Sequence, residues 1–155
     1  MKPYKPATSQ NYRVVARVPK GRESQLLPLF QNALAATFSL KASWHMQEKD
    51  VYLLRVIDGQ TARLTVAGKD EKPEFAFFRG RGFSRRNGVD KLSEFLSEAV
   101  VDGIVIDETK LTGEYNWELP YQHGKPEVTL TQLKALGLEV VKGKRPVNIL
   151  VVEPE

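Results

Sequence analysis

The segment Leu111-Thr112-Gly113-Glu114-Tyr115-Asn116-Trp117-Glu118-Leu119 decides the fold class. Tyr115, Trp117 and Leu119 alternate with Glu114, Asn116 and Glu118, the period of two that gives a strand one apolar and one wetted face. Thr112-Gly113 reads as the turn before that strand. Upstream, Ile104-Val105-Ile106 is a short apolar strand, and Leu92, Phe95, Leu96 and Ala99 fall on one face of a helix over 89–100. The stretch 89–120 is therefore expected to run helix, strand, turn, strand, with the helix roofing the ribbon.

The same order recurs on both sides. From 24 to 57, Ser24 opens a helix whose Leu26, Leu29, Phe30, Ala33, Leu34 and Phe38 form a core-facing stripe, with Pro28 near its first turn. Strands over 40–47 and 51–57 follow, joined by a turn at Glu48-Lys49-Asp50. From 129 to 152, Thr129 and Gln132 form a capping box, Gly137 suits a left-handed helix stop, and 138–141 with 147–152 make a closing hairpin. Between the units, Ala62, Leu64 and Val66 mark a short strand, 67–73 an exposed loop, and Phe75 and Phe77 one strand face. The glycine- and arginine-rich stretch Gly80 to Gly88 reads as a loop. At the start, Tyr12, Val14, Ala16 and Val18 alternate with Arg13, Val15 and Arg17 as a further strand, after a loose lead-in over 1–10. The expected architecture is α+β: repeated helix–β-hairpin units, mostly antiparallel sheet covered by three helices, in a single domain over 11–155.

Composition narrows the function classes. With 155 residues, 41% hydrophobic and 27% charged, the chain has ordinary globular make-up and is not expected to be disordered. No run approaches the roughly 18 apolar residues of a membrane span. The absence of cysteine excludes disulfides, thiolate metal sites and a cysteine nucleophile. Charge is lopsided: residues 1–91 hold 17 Lys/Arg against 8 Asp/Glu, and residues 92–155 hold 6 against 11. Two such halves either attract each other on folding or present opposite faces.

Chemistry-bearing motifs are sparse. Asp107-Glu108 are adjacent, so on a regular strand they point to opposite faces and cannot flank one substrate. Asp107 is expected to bond backbone amides of a turn completed by Thr109, Thr112, Gly113 and Tyr115. His45 and His123 lie in different units without zinc-type spacing, so no metal is expected, and no cofactor either. No Gly-x-Ser-x-Gly elbow exists. Gly80-x-Gly82 lacks the third glycine of a dinucleotide fingerprint. Arg79, Arg81, Phe83, Arg85 and Arg86 are the most distinctive surface set: guanidinium groups interleaved with aromatics suit phosphate, an acidic polymer or single-stranded nucleic acid. The bland alternative is a solvated basic loop whose phenylalanines fill core. Trp117 is expected inside.

The stretch from Ile104 to Leu119 resembles the signature of an uncharacterised soil-bacterial family, domain of unknown function 3738. Asp107, Thr109, Leu111, Thr112, Gly113 and Tyr115 match it, while Lys110 stands where that family usually has glycine. Leu136 to Glu153 resembles the family's ending; Tyr12 to Val18 and Phe38 to Leu54 align more loosely, with Ser43 where a histidine is common. The second and third units are similar in layout to the short N-terminal domains of secretins and TonB-dependent receptors. The resemblance implies an exported or surface-associated protein, periplasmic or secreted, sometimes fused to peptidase-sensor or redoxin modules. It implies no activity and carries over no catalytic residue. The start, Met1-Lys2-Pro3-Tyr4-Lys5-Pro6, lacks an apolar core, so under this resemblance a leader is expected to have been removed.

Three functional readings follow. The first is a non-catalytic extracytoplasmic binding or interaction module that meets an envelope protein by sheet-edge or loop contact. The second is an anionic-polymer or nucleic-acid binder using loop 79–88. The third is a hydrolase with an unrecognised site.

Overall fold

The computed structural model describes Val15 and residues 17–154. The lead-in over 1–10 and Tyr12, Arg13, Val14 and Ala16 of the first expected strand lie outside the described residues. The chain is α+β, with three helices and strands in one mixed and one antiparallel sheet. It divides into two compact units, one formed by 1–46 with 148–155 and the other by 47–147.

In the first unit a 3-10 turn, Glu23–Gln25, leads into helix α1, Leu26–Phe38, which ends on Ser39 in a left-handed conformation (φ 51°). No α1 residue is fully buried; Phe30, Leu34 and Ala35 are half-buried, while Leu27 and Leu29 are exposed. Among the described residues its apolar stripe is thus only partly covered. Trp44, 66% exposed, and Met46 and Val152 leave an apolar surface there.

The second unit holds the core. Strand β1 is Leu40–Val56, β2 Thr65–Val66, β3 Glu74–Phe78, β4 Arg81–Asn87, β5 Val105–Asp107, β6 Tyr115–Pro120 and β7 Leu138–Pro154. One sheet has the order β5-β1-β7, with β5 parallel to β1 (Tyr52 opposite Val105); the other has the antiparallel order β2-β6-β4-β3. Helix α2, Asp90–Phe95, runs on into a π turn, Leu96–Val100, and α3 spans Pro126–Ala135. Leu54, Leu92, Phe95, Leu96, Trp117, Leu119, Leu133 and Leu138 form one buried cluster joining both sheets and both helices.

Several local expectations are corrected. Glu48-Lys49-Asp50 lies inside continuous β1, and 142–146 inside continuous β7, so neither is a turn. No glycine or proline interrupts 48–50, and Gly143 serves a close approach instead: a Cβ there would sit 2.6 Å from Leu53 Cδ1. The pair β5 and β6 forms no hairpin, because β5 pairs with β1 and β6 with β4. Thr129 does not cap α3. That helix starts earlier, with Pro126 in its first turn, and the fully buried Thr129 hydroxyl donates to Pro120 O at 2.7 Å.

The stretch expected as an arginine loop is strand β4. Gly82 and Ser84 are small because they face the core: a Cβ on Gly82 would meet Phe95 Cε2 at 2.3 Å, and Ser84 is 0% exposed. Only the intervening residues Arg81, Phe83 and Arg85 look outward, so glycine content here records tight packing rather than a loop. The true turn is Arg79-Gly80 (φ 50° and 81°), a two-residue hairpin connection with both residues left-handed.

Charge lopsidedness also finds its cause. Arg55 and Arg145 converge on Glu108 (2.7 and 2.6 Å), Arg81 and Arg85 on Glu118 (3.5 and 3.6 Å), and Arg86 meets Glu114 (2.8 Å). Four of these five pairs join a base from the first half of the chain to an acid from the second. The Glu108 carboxyl is held below its ordinary value of 4.5, first by the hydrogen bond from Arg55 and further by Arg145, with burial opposing. A lowered folded pKa means the stabilisation is fully present above the unfolded value and is lost as pH falls through the folded one. Below pH 4.5 the thermal midpoint is therefore expected to fall more steeply for the parent than for Glu108→Gln, a difference measurable by pH-resolved thermal denaturation.

Candidate functional site

The arginine strand presents a partly neutralised face. Arg81 lies over Phe78 and Phe83 (5.6 and 5.7 Å), Arg85 over Phe83 (5.7 Å), and both share the single carboxylate of Glu118. Arg86 occupies a bulge with φ 48°; its amide donates to Asn116 Oδ1 and its guanidinium to Glu71 O. Arg79 sits at the hairpin tip. The structure thus brings Arg81, Phe83 and Arg85 onto one strand face and places Arg79 and Arg86 at bends on either side.

The segment after β5 is a pair of side-chain-stapled turns. Asp107 Oδ1 accepts from Thr109 N at 2.8 Å, Thr109 Oγ1 from Leu111 N at 3.2 Å, and the Tyr115 hydroxyl donates to Thr112 O at 3.1 Å. Gly113 has φ 133° and Lys110 φ 60°. A left-handed conformation costs a non-glycine residue about 1–2 kcal/mol. Lys110→Gly is accordingly expected to raise unfolding stability by about 1 kcal/mol, after the extra chain entropy of glycine is subtracted; urea denaturation checks it.

A different constellation emerges beside Tyr52. A cavity of about 460 Å³ is lined by Asp50, Tyr52, Asp102, Lys142 and Lys144 around Gly103 and Gly143. A second, of about 570 Å³, shares Tyr52 and Asp102 and continues to Ser97, Glu98, Ala99, Val100, His123, Pro126 and Leu130. Their common rim is fixed by backbone hydrogen bonds and by the Ser97 hydroxyl. Val101 N donates to Leu96 O at 2.8 Å to close the π turn, a feature frequent at functional sites. Ser97 Oγ donates to Gly103 O (3.0 Å) and accepts from Val105 N (2.8 Å), and Tyr52 N donates to Ile104 O (2.8 Å). Among the described residues Asp50, Asp102, Lys142 and Lys144 make no ion pair, in contrast to the arginines above.

Sequence reasoning missed this cleft. Its two charged walls, around Asp50 and around Lys142 and Lys144, are the two segments expected as turns, and only the pairing of β1 with β7 makes them neighbours. The available signal was Lys142-Gly143-Lys144 between the apolar pairs Val140-Val141 and Ile149-Leu150. His45 is elsewhere, exposed, with Nε2 at 2.8 Å from Ser43 Oγ. Among the described residues no group of three or more His, Asp or Glu is placed to hold a metal.

Fold and site together define an α+β protein of two compact units, one of which carries a charged cleft with a stapled rim. The chain belongs to the family described as Protein of unknown function (DUF3738), whose model matches residues 4–154. No curated protein and no solved structure matches the chain. No helix among the described residues is long and apolar enough to cross a membrane.

Proposed function

We propose that this protein is a non-catalytic binding module that works outside the cytoplasm. The observation that carries the binding half is the cleft at Tyr52: its volume suits a small ligand, its rim is preorganised, and four charges in it lack internal partners. The extracytoplasmic half rests on the resemblance to an exported family. A chemically diverse small-molecule set, followed by amide NMR, is expected to shift residues lining the cleft while each ligand is recovered unchanged. Turnover of any ligand, or a cleft that stays silent throughout, would reverse the reading. Fractionation of cells expressing the gene with its natural upstream sequence checks the address.

A second reading, contact with an anionic polymer, is supported by the Arg81–Phe83–Arg85 ladder, whose two guanidinium groups share one carboxylate. It requires binding of oligothymidylate that weakens steeply with salt and disappears in Arg81→Ala/Arg85→Ala. Salt-independent or absent binding at low ionic strength would eliminate it.

A further inference from the structure

We infer that the Tyr52 cleft takes a free α-amino acid with a large apolar side chain, an inference that rests on the binding role proposed above. Two carboxylates, Asp50 and Asp102, and two ammonium groups, Lys142 and Lys144, line one cavity and do not pair with each other or with any other described residue. A ligand of one sign satisfies one pair and is repelled by the other. Phosphate and polyanions meet Asp50 and Asp102, divalent cations meet the lysines, and a neutral sugar forms no ion pair with any of the four exposed charges. A ligand with both charges a bond or two apart satisfies all four. The α-carboxylate is then held by Lys142 and Lys144, and the α-ammonium by Asp50 and Asp102.

The adjoining chamber dictates the side chain. It opens from the same Tyr52 and Asp102; Ala99, Val100, Val101, Pro126 and Leu130 give it an apolar stretch of wall, with Ser97, Glu98 and His123 as its polar lining. A leucine or phenylalanine side chain reaching past Tyr52 buries its surface there, whereas glycine leaves the chamber filled with water. Gly143 holds β7 close enough to Leu53 that a Cβ would clash at 2.6 Å, so the lysine wall cannot be rebuilt with a bulkier residue without moving the strand.

The test is calorimetric titration of the intact chain with L-leucine, glycine, N-acetyl-L-leucine and L-leucinamide, with amide NMR locating the site. L-leucine is expected to bind at the cleft. Each capped derivative, lacking one charge, should bind about tenfold or more weakly, because a charged hydrogen-bonding partner is left unmet. Glycine is expected to bind more weakly than L-leucine. In Lys142→Ala/Lys144→Ala, whose replaced side chains are exposed and whose fold is checked by circular dichroism, L-leucine and L-leucinamide should bind alike. Equal affinity of the parent for L-leucine and both capped forms overturns the inference. So does silence toward L-leucine when a sugar, phosphate or simple carboxylate shifts the same cleft residues, an outcome that leaves the binding role standing. If no compound shifts them, both fall.

Discussion

Phe95→Ala is expected to lower unfolding stability by about 3–5 kcal/mol, the cost of deleting a buried aromatic ring and leaving its cavity. The ring is fully buried and packs at 5.4 Å from Trp117, 5.9 Å from Phe77 and 5.7 Å from Tyr121. It also fills the space left by Gly82, the residue that lets β4 cross directly beneath α2. Helix and antiparallel sheet therefore meet on this one side chain, and few neighbours can collapse into the void. A domain's net stability is typically about 5–15 kcal/mol, so the loss is a large share of the whole. Urea unfolding measures it, and Phe95→Leu supplies a milder variant should the alanine form fail to fold. A loss under about 1 kcal/mol for alanine would mean that Phe95 is not the anchor described.

Gly137→Ala is expected to cost about 2–5 kcal/mol, from two additive sources. Gly137 ends α3 with φ 76°, a conformation unfavourable to alanine, and the new Cβ would lie 2.6 Å from the carbonyl oxygen of Thr61. Neither side yields easily. Gly137 O accepts from Ile57 N at 2.9 Å and Leu136 O from Arg63 N at 2.8 Å, so the approach is held by hydrogen bonds on both flanks. Thermal denaturation of Gly137→Ala beside Gly124→Ala separates the two sources, since Gly124 is also left-handed (φ 73°) but a Cβ added there would meet nothing within 4 Å. Equal destabilisation of the two variants would show that the Thr61 contact contributes nothing.

Much of the fold is legible locally. Alternation places β6 and the buried face of Trp117 and Leu119; the stripe Leu92, Phe95, Leu96 places α2; and the left-handed stop at Gly137 ends α3. These signals are local because burial repeats at the period of the element that carries it. Local reading fails where one residue type serves two ends. Glycine among arginines suggests a loop, yet Gly82 exists because Phe95 presses on it. Charges at 48–50 and 142–146 suggest turns, yet they lie on long strands, where Glu48, Lys49, Asp50, Lys142 and Lys144 are exposed and Arg145 is half-buried.

By itself, then, the sequence determined the α+β class, the cysteine-free chemistry and the charge imbalance, since each depends on neighbours a few positions apart or on composition alone. Tertiary structure alone decided which strands pair. It sent β5 and β6 to different sheets, matched basic residues of the first half with acidic ones of the second, and brought Asp50 beside Lys142. Hydrogen bonding between strands is indifferent to how far apart they lie in the chain, and no periodicity records which partner a strand will find.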